Sequence, residues 1–156
     1  MDMKISVRFL LLCLTFVVSS TLHAQASYIA EQLGRDQNHI VQSLGAFVGN
    51  ETSESQAFDI TFMPGRESEG VMIINTADYR CTFKLDPVND VCYEVLLDVR
   101  SASFLHEFNQ LFQFYKTEVG PDGNKLLYFG DKVVAVVETS SPTSRFRAFT
   151  LRVAGN

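Results

Sequence analysis

The first long pattern of apolar positions has helical spacing. Apolar residues at that spacing lie on one face of a helix, and here they are Ile29, Leu33, Ile40, Val41, Leu44 and Val48. Gly34 interrupts the pattern at a residue type that ends helices, and Asp36 is a preferred cap for a following helix. The pattern predicts two short helices, about 27–33 and 37–44, with Gly45 ending the second.

Alternating apolar and polar residues dominate the middle of the chain. Residues 58–62 alternate strictly, which is typical of a half-buried strand, and residues 71–74 form a continuous apolar strand. Residues 78–85 and 91–99 flank the turn-forming segment 86–90. Four strands are therefore predicted here, and the last two form a hairpin.

A helix over residues 103–116 is the clearest single element. Its apolar stripe consists of Phe104, Leu105, Phe108, Leu111, Phe112 and Tyr115. That spacing is typical of a face packed on a core. Ser101 or Ser103 is expected to cap the helix. Glu107 is expected on the solvent side, and Phe114 lies off the stripe at a position that favours exposure.

The C-terminal part of the chain again has strand patterns. A turn at 120–123 precedes strands at 125–129 and 132–139, which the tight turn Gly130–Asp131 joins, and a last strand is predicted over 145–153. The order is ααββββ-αβββ. Short antiparallel connections predict an α+β fold, with a mostly antiparallel sheet of about six to seven strands and helices packed on one face.

Two cysteines lie in the predicted hairpin. Matching the apolar faces of its strands pairs Leu85 with Val91, Phe83 with Tyr93 and Cys81 with Val95. Cys92 then points to the opposite face, where no disulfide with Cys81 can form without backbone movement. A register slip of one residue would place both on one face, but offset from each other along the strands. A Cys81–Cys92 disulfide and two free thiols thus both stay open.

The N-terminal segment has the features of a secretory signal peptide. Lys4 and Arg8 precede an uncharged apolar run over 9–18, and cleavage after Ala24 or Ala26 fits a small-residue site. The run is much shorter than the roughly 20 residues of a membrane-spanning helix.

The domain organisation follows from this signal. Residues 1–24 are predicted to be removed, and residues 25–156 form a single α+β domain. Export to the periplasm or the extracellular space is expected, without a transmembrane segment.

The net charge of the chain bears on the classes of partner that it can bind. The 156 residues include 13 Lys and Arg and 18 Asp and Glu, which gives a net charge of −5. Loss of Lys4, Arg8 and Asp2 with the signal changes the net charge to −6. An acidic chain is unlike a typical nucleic-acid binder, which carries a basic face. No nucleic-acid partner is therefore expected.

Motifs of known chemistry are missing from the sequence. There is no nucleotide-binding glycine loop, no Gly-x-Ser-x-Gly and no Cys-x-x-Cys. His106–Glu107 begins like a zinc-protease helix, but Gln110 stands where the second histidine ligand would be. We therefore predict no catalytic residue, no metal site, no cofactor and no enzymatic activity.

Candidate contact residues lie in the C-terminal half. Arg145 and Arg147 share one face of the predicted last strand, where they would bind an anion or an acidic partner, or protect an edge strand from aggregation. Phe114 is the third candidate, because an exposed aromatic ring suits a protein contact.

The segment with a Leu-Gly pair at each end, Leu33–Gly34 and Leu44–Gly45, resembles the helix–turn–helix opening of small exported modules of the SmpA/OmlA and beta-lactamase-inhibitor-protein types. This resemblance covers about residues 27–99 and implies a helix pair followed by an antiparallel meander. Residues 104–137 are similar to small secreted proteins of unknown function from Bacteroidetes-type bacteria. Cys13 follows Leu12, so the chain departs from the lipoprotein members. The resemblance implies a binding role.

Three functional hypotheses follow. The first is an exported, non-enzymatic module that binds another protein or an envelope component. The second is a carrier that holds a small apolar ligand between the helix 103–116 and the sheet. The third is a hydrolase whose dispersed site leaves no motif.

Overall fold

A computed structural model describes residues 25–50, 59–63, 70–140 and 146–154, with 44–50 and 59–63 described by their backbone. The predicted signal peptide, Phe58 and Arg145 lie outside the described residues. The helices are 25–31 (α1), Gln37–Asn50 (α2) and Ala102–Phe114 (α3). The strands are Asp59–Met63 (β1), Gly70–Asn75 (β2), Tyr79–Leu85 (β3), Cys92–Val99 (β4), Lys116–Val119 (β5), Lys125–Phe129 (β6), Lys132–Thr139 (β7) and Ala148–Val153 (β8).

The strands form one antiparallel sheet in the order β1-β2-β3-β4-β8-β7-β6-β5. Two four-stranded meanders thus join where β4 pairs with β8. The predicted α+β class is confirmed. The element order departs from the prediction by one strand, because β5 follows α3 directly. Its four side chains are all exposed, so no apolar alternation marks it in the sequence.

The break between the first two helices is confirmed at Gly34. This glycine has φ +78°, a left-handed conformation that ends a helix without steric cost. The Asp36 carboxylate accepts a hydrogen bond from the backbone N–H of His39 at 2.8 Å and caps α2. Gly45 does not end α2, which continues to Asn50. A single glycine inside a helix costs only about 1 kcal/mol, so it is a weak stop signal.

The cap and the stripe of α3 agree with the sequence pattern. The Ser101 hydroxyl accepts a hydrogen bond from the backbone N–H of Phe104 at 3.2 Å. Phe104, Phe108 and Leu111 are buried. The expectation for Glu107 is wrong, because this side chain is buried. Its carboxylate accepts a hydrogen bond from the backbone N–H of Ala26 at 3.0 Å, which places α1 against it.

The core lies between one face of the sheet and the helices. The sheet contributes Phe83, Val95, Leu97 and Leu151 among others, and the α1–α2 segment contributes Ile29, Leu33 and Ile40. Aromatic rings from α3 pack on the sheet. Phe104 stacks on Tyr79 with ring centres 4.4 Å apart, and Phe108 lies 4.5 Å from Phe149. Among the described helices, none is long and apolar enough to cross a membrane.

The predicted register of the β3–β4 hairpin is wrong. Cys81 pairs with Leu97 and Phe83 with Val95, and an irregularity after Lys84 then pairs Leu85 with Cys92. The irregularity turns Cys92 to the core face that Cys81 also occupies. Both thiols are free and buried.

The physical reason for two free thiols is their spacing on the sheet. Cys92 lies opposite Leu85, four residues along β3 from Cys81. That separation is about 13 Å at about 3.3 Å per residue. A disulfide needs Cα atoms within about 7 Å, so sharing a face is not sufficient.

The last strand is not at a sheet edge. It begins at Ala148 and lies between β4 and β7. The proposed role of Arg145 and Arg147 in protecting an edge strand is therefore wrong, since β8 is paired on both sides. Arg147 precedes the strand and is exposed.

Candidate binding cleft

A cleft of about 370 Å³ opens between α1, the first half of α2, Tyr115 and the turn that joins β6 to β7. Its residues come from segments that lie far apart in sequence. They are Tyr28, Glu31, Gln32, Arg35, His39, Ser43, Tyr115, Phe129, Gly130, Asp131 and Lys132.

Backbone hydrogen bonds fix the position of the α1–α2 connection at this end of the sheet. The N–H of Gly34 donates to the carbonyl of Cys92 at 2.7 Å, and the N–H of Cys92 donates to the carbonyl of Arg35 at 2.8 Å. Asp36 and Val91 form a further antiparallel bridge. The connection therefore behaves as a short extension of the sheet beside β4, and it holds the cleft wall in place.

Lys132 joins the two sides of the cleft. Its Nζ donates to the carbonyl of Glu31 at 3.0 Å and also to the carbonyl of Leu33. These acceptors lie at the C-terminal end of α1, where a positive charge is favourable. Burial lowers the pKa of the Lys132 ammonium, and the nearby Arg35 charge lowers it further. This side chain thus has a structural role in addition to its place in the wall.

The floor of the cleft is a hydrogen-bonded group of Tyr28, Gln32 and Ser43. The Tyr28 Oη lies 3.2 Å from Ser43 Oγ and 3.2 Å from the carbonyl of Ile40, to which it donates. Gln32 Nε2 donates to the carbonyl of Tyr28 at 3.0 Å. These contacts hold the polar side chains in one arrangement before any ligand enters.

The Tyr28 hydroxyl stays protonated at neutral pH. Burial raises its pKa to about 12, although the hydrogen bond with Ser43 acts in the opposite direction. A neutral phenol can donate and accept hydrogen bonds, but it cannot serve as a general base at that pKa. At neutral pH this side chain is therefore an uncharged donor and acceptor of hydrogen bonds.

The rim carries charges of both signs. Glu31 and Asp131 supply carboxylates, while Arg35 and Lys132 supply cations, and His39 is exposed beside them. This mixture differs from a pure anion site or a pure cation site. It favours a ligand that itself carries both kinds of group.

One wall of the cleft is aromatic. The Tyr115 and Phe129 rings lie 4.2 Å apart between centres. Burial raises the pKa of the Tyr115 hydroxyl, and the carboxylate of Glu31 raises it further. The cleft thus combines an aromatic surface with directional polar groups, which is the usual composition of a ligand site.

The serine and the histidine of the cleft do not form a nucleophile–base pair. Ser43 Oγ donates toward the backbone carbonyl of His39 at 2.7 Å, and that acceptor cannot take a proton in catalysis. Among the described residues, no group of three or more His, Cys, Asp or Glu side chains is placed to hold a metal ion.

The cysteines are also unsuited to nucleophilic chemistry. Burial raises the pKa of the Cys92 thiol to about 12, and that of Cys81 well above its usual range. Reactive cysteines are instead exposed and have lowered pKa values.

The contact residues predicted from sequence lie elsewhere. Phe114 is 64% exposed at the end of α3, in agreement with its position off the stripe. Arg147 lies 3.3 Å from Glu138 in an exposed ion pair. It lines a second cleft of about 320 Å³, with Phe112 and Phe149 but without Phe114. Arg145 lies outside the described residues.

Sequence reasoning missed the first cleft because no local motif marks it. Tyr28 and Ser43 are polar positions beside the apolar residues of the two helices, and Lys132 follows a turn, so none of the three stands out in the sequence. The break at Gly34 is the signal that could have indicated it, because two helices separated by a turn can fold against each other and bring these residues together.

Comparison of the chain with protein-family models, with curated proteins and with solved structures found no match. The resemblance to small exported modules therefore stays a prediction.

Proposed function

We propose that this protein is an exported, non-enzymatic binding module, and that the cleft between α1, α2 and the β6–β7 turn binds a polar segment of another protein or of an envelope component. The observation that carries the proposal is the ordered polar floor of Tyr28, Gln32 and Ser43 beneath a rim of both charge signs.

The size and chemistry of the cleft support a polymer segment as partner. Its volume of about 370 Å³ is at the lower end of the range of small-ligand sites. That space suits one or two side chains better than a large cofactor. A protein segment supplies carboxylate, ammonium and amide groups together, which matches Glu31, Arg35 and Gln32.

The side chains that could have supported catalysis are in surroundings that do not suit it, and this also favours a binding role. The Tyr28 hydroxyl is protonated, the Ser43 hydroxyl contacts a carbonyl, and both thiols are buried. The Ser43 hydroxyl donates to a backbone carbonyl, which cannot act as a base, and buried thiols with raised pKa values are poor nucleophiles.

The packing of α3 weakens the alternative of an apolar-ligand carrier. Phe104 and Phe108 occupy the space between this helix and the sheet, with ring centres 4.4 and 4.5 Å from Tyr79 and Phe149. The cleft beside α3 is lined by the charged side chains of Lys125, Glu138 and Arg147 as well as by Phe112 and Phe149. Apolar cargo favours an enclosed apolar cavity.

Export is part of the same proposal. A signal over residues 1–24 would deliver the domain to the periplasm or the extracellular space, where the exposed cleft would meet its partner. Expression in a bacterial host with detection of the shortened chain outside the cytoplasm tests this part.

Site-specific photo-crosslinking tests the binding part. A photoreactive amino acid replaces exposed His39 at the cleft rim in one sample and exposed Asp122 in the distant β5–β6 turn in the other. Incubation with the envelope fraction of the native host, followed by mass spectrometry, should give one defined adduct from position 39 alone. The same adduct should disappear in the Gln32→Ala variant. Identical adducts from both positions, or none from position 39, would refute the proposal.

A further inference from the structure

The outermost strand of the second meander, β5, has an uncovered edge among the described strands, where it is last in the sheet order. All four of its side chains are exposed, and Val119 is 75% exposed. Such an edge is a template for pairing with a further strand.

The hydrogen bonds of the turn show which backbone groups face outward. Gly120 N–H donates to the carbonyl of Asn124 at 2.8 Å, so this pair is hydrogen-bonded. Bonded and non-bonded pairs alternate in an antiparallel ladder. Glu118 and Lys116 therefore bond to β6, while the N–H and C=O groups of Thr117 and Val119 point away from the sheet.

The side chains of β5 divide between the two faces. Lys116 and Glu118 share one face and form an ion pair at 2.8 Å, and Tyr128 donates to Glu118 at 2.7 Å. Thr117 and Val119 share the other face, the one on which Tyr115 packs against Phe129.

In a pairing with a second copy of the same strand, outward groups must meet outward groups, and registers centred on Glu118 or on Thr117 both satisfy this condition at Thr117. Centring on Glu118 places two like charges directly opposite each other, which is destabilising. Centring on Thr117 places Lys116 opposite Glu118 of the other copy in both directions. It also places Tyr115 opposite Val119 of the other copy, an aromatic–β-branched pair that stabilises sheets. The N–H of Tyr115 already donates to the carbonyl of Leu111 at 3.0 Å, so the reciprocal backbone hydrogen bonds of this register are those between the two Thr117 residues.

We propose that two copies of this chain associate edge to edge through β5, antiparallel and centred on Thr117, so that their sheets become continuous. Charge complementarity selects a second copy over an unrelated strand, since the sequence Lys-Thr-Glu is complementary to itself in this register. The inference does not depend on the binding cleft. A four-residue strand makes a small interface, so the association is concentration-dependent.

A charge swap provides the decisive experiment. Analytical ultracentrifugation of the purified protein between about 10 μM and 1 mM covers the range in which a small interface dissociates. Lys116→Glu and Glu118→Lys each place like charges opposite each other twice, and each should raise the dissociation constant about tenfold. The double variant Lys116→Glu/Glu118→Lys should restore dimers. Circular dichroism confirms that all variants stay folded.

A backbone variant separates edge pairing from side-chain effects. Thr117→Pro removes an N–H that points away from β6, so the strand can keep its place while dimers are lost. Thr117→Val retains the N–H and should still dimerise.

Three results would overturn the proposal. One is a wild-type protein that is monomeric at every concentration, and another is a double swap that fails to restore dimers. The third is a monomeric protein that instead captures a different chain at this edge in a manner that Thr117→Pro abolishes.

Discussion

The buried carboxylate of Glu94 offers the sharpest test of the electrostatics of this fold. Its side chain is 3% exposed and lies in β4 on the face opposite Val95. Lys84 Nζ is 2.7 Å from Oε1, and the Arg152 guanidinium contacts Oε2. Burial alone would raise the pKa of this carboxyl, but the hydrogen bonds and charges of Lys84 and Arg152 hold it below its ordinary value.

Glu94→Gln keeps the shape of the side chain and removes its charge. A hydrogen bond to a charged group contributes about 1.5–3 kcal/mol. The side chains of Lys84 and Arg152 are 29% and 62% exposed, so water replaces part of what they lose. The free energy of unfolding at pH 7 should therefore fall by about 1–3 kcal/mol.

The pH dependence has a definite sign. Because the folded-state pKa lies below the unfolded value, the charged carboxylate stabilises the protein above the unfolded pKa of about 4.3. This contribution is lost as the pH falls through the folded-state pKa. The difference between the wild type and Glu94→Gln should thus be full at pH 7 and shrink below about pH 4.

Urea unfolding of both proteins across this pH range measures the effect. Glu138→Gln is the matched control, because Glu138 pairs with Arg147 while 56% exposed, and exposed pairs contribute little. A stability difference that stays constant from pH 7 to pH 3 would refute the assignment of an ionised, paired Glu94. An equal loss of unfolding free energy in Glu138→Gln would refute the idea that burial makes the Glu94 ion pairs stronger than an exposed pair.

Further substitutions test the packing and the helix connections. Phe108→Ala should lower the free energy of unfolding by about 3–5 kcal/mol, because its ring is 1% exposed. Phe114→Ala changes a 64% exposed position and should cost less than about 0.5 kcal/mol in the same denaturation assay. Similar losses of stability in the two variants would contradict the packing of Phe108 and the exposure of Phe114 on α3. Gly34→Ala should lower the free energy of unfolding by about 1 kcal/mol. The added Cβ would meet no atom within 4 Å, so the cost comes from the φ of +78°, which alanine rarely adopts. An unchanged thermal unfolding transition would contradict the left-handed conformation at this helix end. Glu107→Ala should cost about 1–3 kcal/mol and speed hydrogen exchange at the Ala26 amide, and unchanged exchange would contradict that hydrogen bond.

Local signals predicted the helices and turns well, because they depend on a few neighbouring atoms. Gly34 stops a helix through its own backbone conformation, and Ser101 caps α3 through a contact three residues away. The tight turn at Gly130 likewise has the positive φ that its sequence favours. Phe108 follows from the 3.6-residue period that places it on the buried face.

Strand register and contacts between distant segments could not be predicted from local sequence signals. The pattern of the β3–β4 hairpin permitted several registers, and the irregularity after Lys84 moved Cys92 to the core face. Glu107 lies three residues after Phe104, on the buried stripe of α3, but its polar side chain predicted exposure. The hydrogen bond from the N–H of Ala26, a residue far away in sequence, helps to make its burial favourable. The cleft depends on the same kind of distant approach, since Lys132 reaches the end of α1.

The sequence by itself determined the α+β class, the helix break at Gly34, the cap of α3 and the aromatic face that packs on the sheet. Tertiary structure decided the central position of β8, the edge position of β5, the separation of the two thiols and the assembly of the cleft. The division has a physical cause. Backbone conformation and side-chain period act over a few residues, whereas register and strand order depend on the packing of the whole core, in which segments far apart in sequence compete for the same partners.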